Sequence, residues 1–115
     1  MARPAINRSR ILRWQRTRPG RSKLWEAMRM LRRFTVSELL AVCEIESRQT
    51  VQSFLSELRQ AGFVRCVHRG NEALHEPATF LLIRNTGPLC PARLAKRKSM
   101  WDPNTDQEHR FEQHT

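Results

Sequence analysis

A chain of 115 residues with 39% apolar side chains has room for one domain with a modest core and for ends that lie outside it. Its 21 Lys and Arg against 11 Asp and Glu leave a formal net charge of +10, which suits a polyanionic partner, nucleic acid ahead of an acidic membrane surface. No apolar run approaches the length of a membrane span, no h-region marks a secretory signal, and the three scattered cysteines, Cys43, Cys66 and Cys90, lack paired zinc-ligand spacing, so no membrane, metal or cofactor is expected.

The charge is uneven along the chain. Residues 1–33 hold eleven basic side chains, ten of them Arg, against the single acid Glu26, and the remainder balances to zero. Residues 1–21, with Pro4, Pro19, Gly20 and few apolar groups, predict a basic arm that stays flexible until it meets a partner. Its Arg8, Arg10, Arg13, Arg16, Arg18 and Arg21 suit phosphates or an A·T-rich minor groove, because the planar guanidinium fork matches both. Neutralising about six phosphates gives a log–log salt slope of about −5. A solubilising tail is the plainer alternative, and the same Arg-rich, acid-poor composition is shared by mitochondrial transit peptides. Trp14 either stacks on a base or anchors the arm to the domain.

From Ser22 the pattern turns helical. Leu24, Trp25, Met28 and Leu31 predict a first helix over about 23–32. Arg33-Phe34-Thr35 is long enough only for a strand stub. Val36, Leu39, Leu40 and Cys43 then form an i, i+3, i+4, i+7 face, which predicts a second helix over 36–43. Glu44 to Ser47 is the break, with Ile45 as an apolar plug and Ser47 as cap of a third helix over 48–61. That helix buries Val51, Phe54 or Leu55, Leu58 and Ala61 and stops at Gly62, a residue suited to a left-handed C-terminal position.

After Gly62 the period changes. "FVRCVHR" (63–69) and "TFLLIRN" (79–85) flank the polar "GNEALHEPA" and predict an antiparallel hairpin. Beyond Asn85, Gly87, Pro88, Pro91 and Pro103 suggest a tail of residues 86–115, with a short basic helix within 91–101 and disorder from 102 onward. The expected fold class is therefore mainly α with a small β-hairpin: three helices and a two- or three-stranded wing over residues 22–85.

The order helix, strand stub, helix, tight turn, helix, hairpin, with "RQTVQSFLSELRQAGFVR" stepping through Ala-Gly into a β-run, resembles the winged helix-turn-helix superfamily of bacterial regulators. "RNTGPLCP" followed by "WDPNT" is similar to the tails of small helix-turn-helix proteins in transposable, Mu-like bacteriophages, a likeness that implies a phage or prophage origin. The superfamily resemblance implies a sequence-specific transcriptional regulator of double-stranded DNA, cytoplasmic and nucleoid-associated, acting as a homodimer. The first helix with Trp25 and Met28, or the 91–101 segment with Trp101, are the candidate dimer contacts.

Arg48 can donate two bonds to guanine, and Gln49 and Gln52 can each bond bidentately to adenine, with Ser53 beside them; each good pair is worth about 1–3 kcal/mol of discrimination. Ser47 and Thr50 at the helix N-terminus, Arg69 in the hairpin and Arg33 are candidate phosphate contacts. The hairpin loop also holds His68 and Asn71, but Glu72 and Glu76 offset them, so an ordinary exposed hairpin is equally compatible. His68, His75, His109 and His114 have no nucleophile beside them and no glycine loop suits phosphate, so no enzyme and no catalytic residue is expected. Two other functions remain open: a protein-interaction module whose basic arm binds nucleic acid non-specifically or grips an acidic protein partner, and an RNA-binding arm.

Overall fold

The computed structural model of the chain describes residues 19–44, 47–94 and 96–112. Arm residues Arg8, Arg10, Trp14, Arg13, Arg16 and Arg18, together with Ile45, the Glu72 side chain and His114, lie outside the described residues.

Helix α1 (Pro19–Leu31) starts four residues earlier than the sequence spacing suggests, because a proline at the first helical positions lacks only an amide hydrogen that would have no partner there. It turns Leu24, Trp25, Ala27 and Met28 into the core. Arg32, at φ 66°, breaks the helix and feeds strand β1 (Arg33–Phe34). Thr35 then caps α2 (Val36–Cys43) with a reciprocal box: its hydroxyl accepts from the Glu38 amide at 3.1 Å, and the Glu38 carboxylate accepts from the Thr35 amide at 3.1 Å. Glu44, left-handed at φ 54°, ends α2.

Ser47 caps α3 (Arg48–Gln60), its hydroxyl accepting from the Thr50 amide at 3.2 Å. At the other end Gly62 takes φ 87°, its amide bonds the Arg59 carbonyl, and the Phe63 amide bonds the Leu58 carbonyl at 2.9 Å. This paired closure needs the left-handed residue that glycine supplies. Strands β2 (Val64–His68) and β3 (Thr79–Leu82) pair antiparallel, and β1 adds to β3, giving sheet order β1-β3-β2. The pairing of Phe34 with Phe80 stacks their rings 6.4 Å apart.

The segment after Asn85 overturns the expected fold class. The short basic helix within 91–101 and the disorder from 102 onward are both replaced by a second three-stranded antiparallel sheet: β4 (Ala92–Arg93), β5 (Ser99–Asp102) and β6 (Gln107–Arg110), in order β4-β5-β6. Among the described residues there are three α-helices and two three-stranded sheets, so the fold is α+β and not mainly α. The strands of the second sheet are two to four residues long, too short to show an alternation, and β5 is buried on both faces, so no period appears.

What holds this sheet is a polar lock. Asp102 is fully buried and accepts from the Asn104 amide and side chain, both at 3.0 Å, and from the Thr105 hydroxyl at 3.1 Å. Asn104 reaches across to the preceding loop: its amide group donates to the Leu89 carbonyl at 2.7 Å and its oxygen accepts from the Leu89 amide at 3.0 Å. A Cβ on Gly87 would stand 2.6 Å from that oxygen, so the loop needs glycine. The Gly87 carbonyl in turn accepts from the Trp25 indole at 2.9 Å, which ties the loop to α1. "NTGPL" and "DPNT" are therefore the two halves of one structural joint.

The far end of the sheet closes over the corner between α3 and β2. His109 meets Phe63 edge-on at 5.0 Å, and the Glu112 amide bonds the Gln60 carbonyl at 2.9 Å. Burial pushes the Cys43 thiol up and the Cys90 thiol up to about 12, so both behave as small apolar core residues.

Replacing Asn104 with Ala orphans both Leu89 backbone groups and removes a bond to buried Asp102; chemical denaturation should show a loss of about 2–4 kcal/mol. His109 gives a pH signature. Burial, followed by the Arg84 guanidinium 2.8 Å from its Nδ1, holds its pKa below the usual 6.5, with Asp102 pulling weakly the other way. The unfolded chain therefore takes up this proton before the folded one does. The contribution is complete above pH 6.5 and is lost as the pH falls below it, so melting temperatures should drop in that range and drop less steeply in His109→Gln.

Candidate nucleic-acid interface

Helix α3 divides cleanly by side. Val51, Phe54, Leu55, Leu58 and Glu57 face inward. The outward stripe consists of Arg48, Gln49, Gln52, Ser53, Ser56, Arg59 and Gln60, which recur at three- and four-residue spacing and contain neither a carboxylate nor an apolar side chain. Four of these seven were predicted as base-reading groups: Arg48, Gln49 and Gln52 are exposed and Ser53 is half-buried, together on the first turns of the helix. Ser56, Arg59 and Gln60 extend the stripe and escaped the sequence reading, although each stands four to eleven residues from a member already identified.

Two depressions flank the helix. One lies between α3 and the β2–β3 hairpin, where Arg48 and Arg59 face Arg69, Asn71 and Glu76. The other lies between α3 and the second sheet, where Ser53 and Gln60 face Arg93, Lys98 and Phe111. Gln52 and Ser56 line both, so α3 stands as a ridge between two walls.

Arg48 has its guanidinium 3.4 Å from the Ser37 hydroxyl at the start of α2, and Arg59 lies over the Phe80 ring at 5.6 Å. Both are steered along the hairpin-side depression. Arg69 faces them from the hairpin base, where Gly70 at φ 76° lets the chain turn tightly; a Cβ there would meet the Glu76 carbonyl at 2.5 Å. Hairpin charge is offset, since exposed Glu76 stands 3.5 Å from His68. Ser47 and Thr50 sit at the N-terminus of α3 and are bonded to one another, hydroxyl to amide. Arg33 is exposed on β1 and lines neither depression.

Arg21, predicted as an arm contact, has a different place. It lies in α1, donates to the Glu57 carboxylate at 2.7 and 3.3 Å and lies over the Phe54 ring at 5.2 Å. Arg93 of β4 approaches the same carboxylate at 3.9 Å. Two cations thus neutralise the one acid of α3, which is almost wholly buried. The partners are separated by 36 residues, and no local pattern announces such a pair.

Among the described residues no group of three or more His, Cys, Asp or Glu side chains could hold a metal ion, and no helix is long and apolar enough to cross a membrane. No family model, curated protein or solved structure matches this chain. The function therefore has to be argued from the residues of the α3 ridge and its two walls.

Arg21→Ala would leave Glu57 buried with Arg93 alone at 3.9 Å. The expected result is a loss of about 2–3 kcal/mol in denaturant unfolding, where a mere phosphate contact would leave stability unchanged.

Proposed function

We propose that the protein binds double-stranded DNA by setting α3 into the major groove, and that it acts as a sequence-specific transcriptional regulator. The observation that carries this reading is the stripe of Arg, Gln and Ser along the whole exposed side of α3, with the helix's only carboxylate turned inward and neutralised. Thirteen residues of helix span about 20 Å, and a helix fits the major groove of about 12 Å width. Arg and Gln are the side chains whose donor and acceptor pairs match guanine and adenine edges, and they fill the N-terminal half of the helix, where recognition helices contact bases.

In this reading Arg48, Gln49, Gln52 and Ser53 address bases, with Ser56 and Arg59 continuing along the groove. Arg69 meets a backbone phosphate from the hairpin, and the excess charge of residues 1–33 adds affinity without sequence preference. The setting is the nucleoid, and the likeness to phage proteins favours control of phage or prophage genes. A two-fold operator bound by a homodimer belongs to the same proposal.

Selection from random duplexes, followed by anisotropy titration at two salt concentrations, tests it. The protein should enrich a motif that persists at the higher salt. Arg48→Ala/Gln52→Ala should cut the preference for that motif by about thirtyfold or more, from two contacts worth about 1–3 kcal/mol each, while binding to random duplex changes little. Tight binding without any enriched motif would reject base reading by α3 and leave a scaffold carried by its arm.

A further inference from the structure

We propose that the β4–β5 connection is a second phosphate-binding wall, gripping the duplex backbone on the side of α3 opposite the hairpin. This rests on the reading that α3 enters the major groove and adds a contact that reading does not need. A major groove is bounded by two phosphate backbones, so a helix lying in it has one on either side. The α3 ridge has a wall on either side too, and the two differ in charge.

The hairpin wall offers Arg69 with exposed Glu76 nearby. The wall made by the second sheet sets Lys98 on the depression itself, with Arg93 beside Glu57 in the same lining. Lys96, exposed in the same connection, and Arg110, exposed on neighbouring β6, line the adjoining depression that Lys98 also borders. The carboxylates close to this wall are already engaged. Glu57 is held by Arg21 at 2.7 Å, and Glu108 is held by Arg97 at 2.6 Å. Exposed Arg97 is committed to Glu108, and Lys96 and Lys98, which flank it in the chain, are exposed as well.

The wall is also fixed in place. The Leu94 amide bonds the Ser99 carbonyl at 3.2 Å, and the Arg97 amide bonds the Leu94 carbonyl at 3.1 Å, which shapes the connection. The Phe111 amide bonds the Lys98 carbonyl at 2.7 Å, and the next amide, that of Glu112, bonds Gln60 at the end of α3. Lys98 is thereby joined to the reading helix through two successive backbone bonds. Arg93 lies over the Phe111 ring at 5.7 Å, which supports its stem along the depression. The ligand chemistry is the phosphodiester backbone of duplex DNA, recognised by charge and position without regard to sequence.

The test compares the full chain with Lys96→Gln/Lys98→Gln, the charge-keeping Lys96→Arg/Lys98→Arg, and Arg65→Gln. Arg65 is exposed on β2 and lines neither depression. Each is titrated into labelled duplex over a range of salt. Losing two phosphate contacts should flatten the log–log salt slope by about 2 and weaken selected and random duplexes alike by about tenfold to a hundredfold at low salt. The Arg pair should restore both values, and the motif preference should be the same in all variants.

A duplex-binding wild type whose slope is unchanged in the Gln pair overturns the second wall and leaves the role of α3 standing. An equal loss per charge in Arg65→Gln does the same, because it would mark a diffuse field in place of a local grip. A wild type that binds no duplex overturns both readings together.

Discussion

The buried carboxylate of Glu57 is the point on which this domain turns. It joins α1 through Arg21, belongs to α3, and draws Arg93 of β4 toward it, so three parts of the chain meet at one charge. A carboxylate at that position with no cation would be costly in a low-dielectric interior, and one on the outward stripe would repel phosphate. Turned inward and paired, it does neither. The polar ridge of α3 is free of negative charge because Arg21 and Arg93 meet that acid from within.

The same arrangement explains why the segment after Asn85 belongs to the domain. Arg93 can reach Glu57 only if β4 lies along α3, and that placement is set at the other end of the sheet by Asn104. Its amide grips both backbone groups of Leu89, while Gly87 bonds the Trp25 indole. Buried polar groups satisfied in this way resist alternative packings, since any shift leaves several donors and acceptors unpaired at once. The consequence for the site is a second wall beside α3, bearing cations, that a helix-and-hairpin domain would lack.

Much of the first two thirds of the chain was legible. Ser47 caps α3 where its position before an apolar face requires it, and Gly62 takes the left-handed turn that ends the helix. The hairpin strands fall within the two runs rich in β-formers. The base-reading candidates were visible because they occupy what the apolar stripe of α3 leaves over. Carrying the same spacing two turns further would have added Ser56, Arg59 and Gln60. Beyond Asn85 the signals misled: prolines and a run of basic residues suggested a tail, while strands of two to four residues gave no period to detect.

By itself, then, the sequence determined the three helices, the cap of α3, the hairpin and the polar side of α3, because each depends on side chains within a few positions of one another. Tertiary structure alone decided that Arg21 is a structural partner instead of an arm contact, that Ala92–Arg93, Ser99–Asp102 and Gln107–Arg110 pair into a sheet, and that α3 has two walls instead of one. Those outcomes rest on Trp25 with Gly87, Arg21 with Glu57 and Gln60 with Glu112, contacts between residues far apart in the chain. Spacing along a chain registers periodicity and capping, but it holds no record of which distant groups will meet when the core closes.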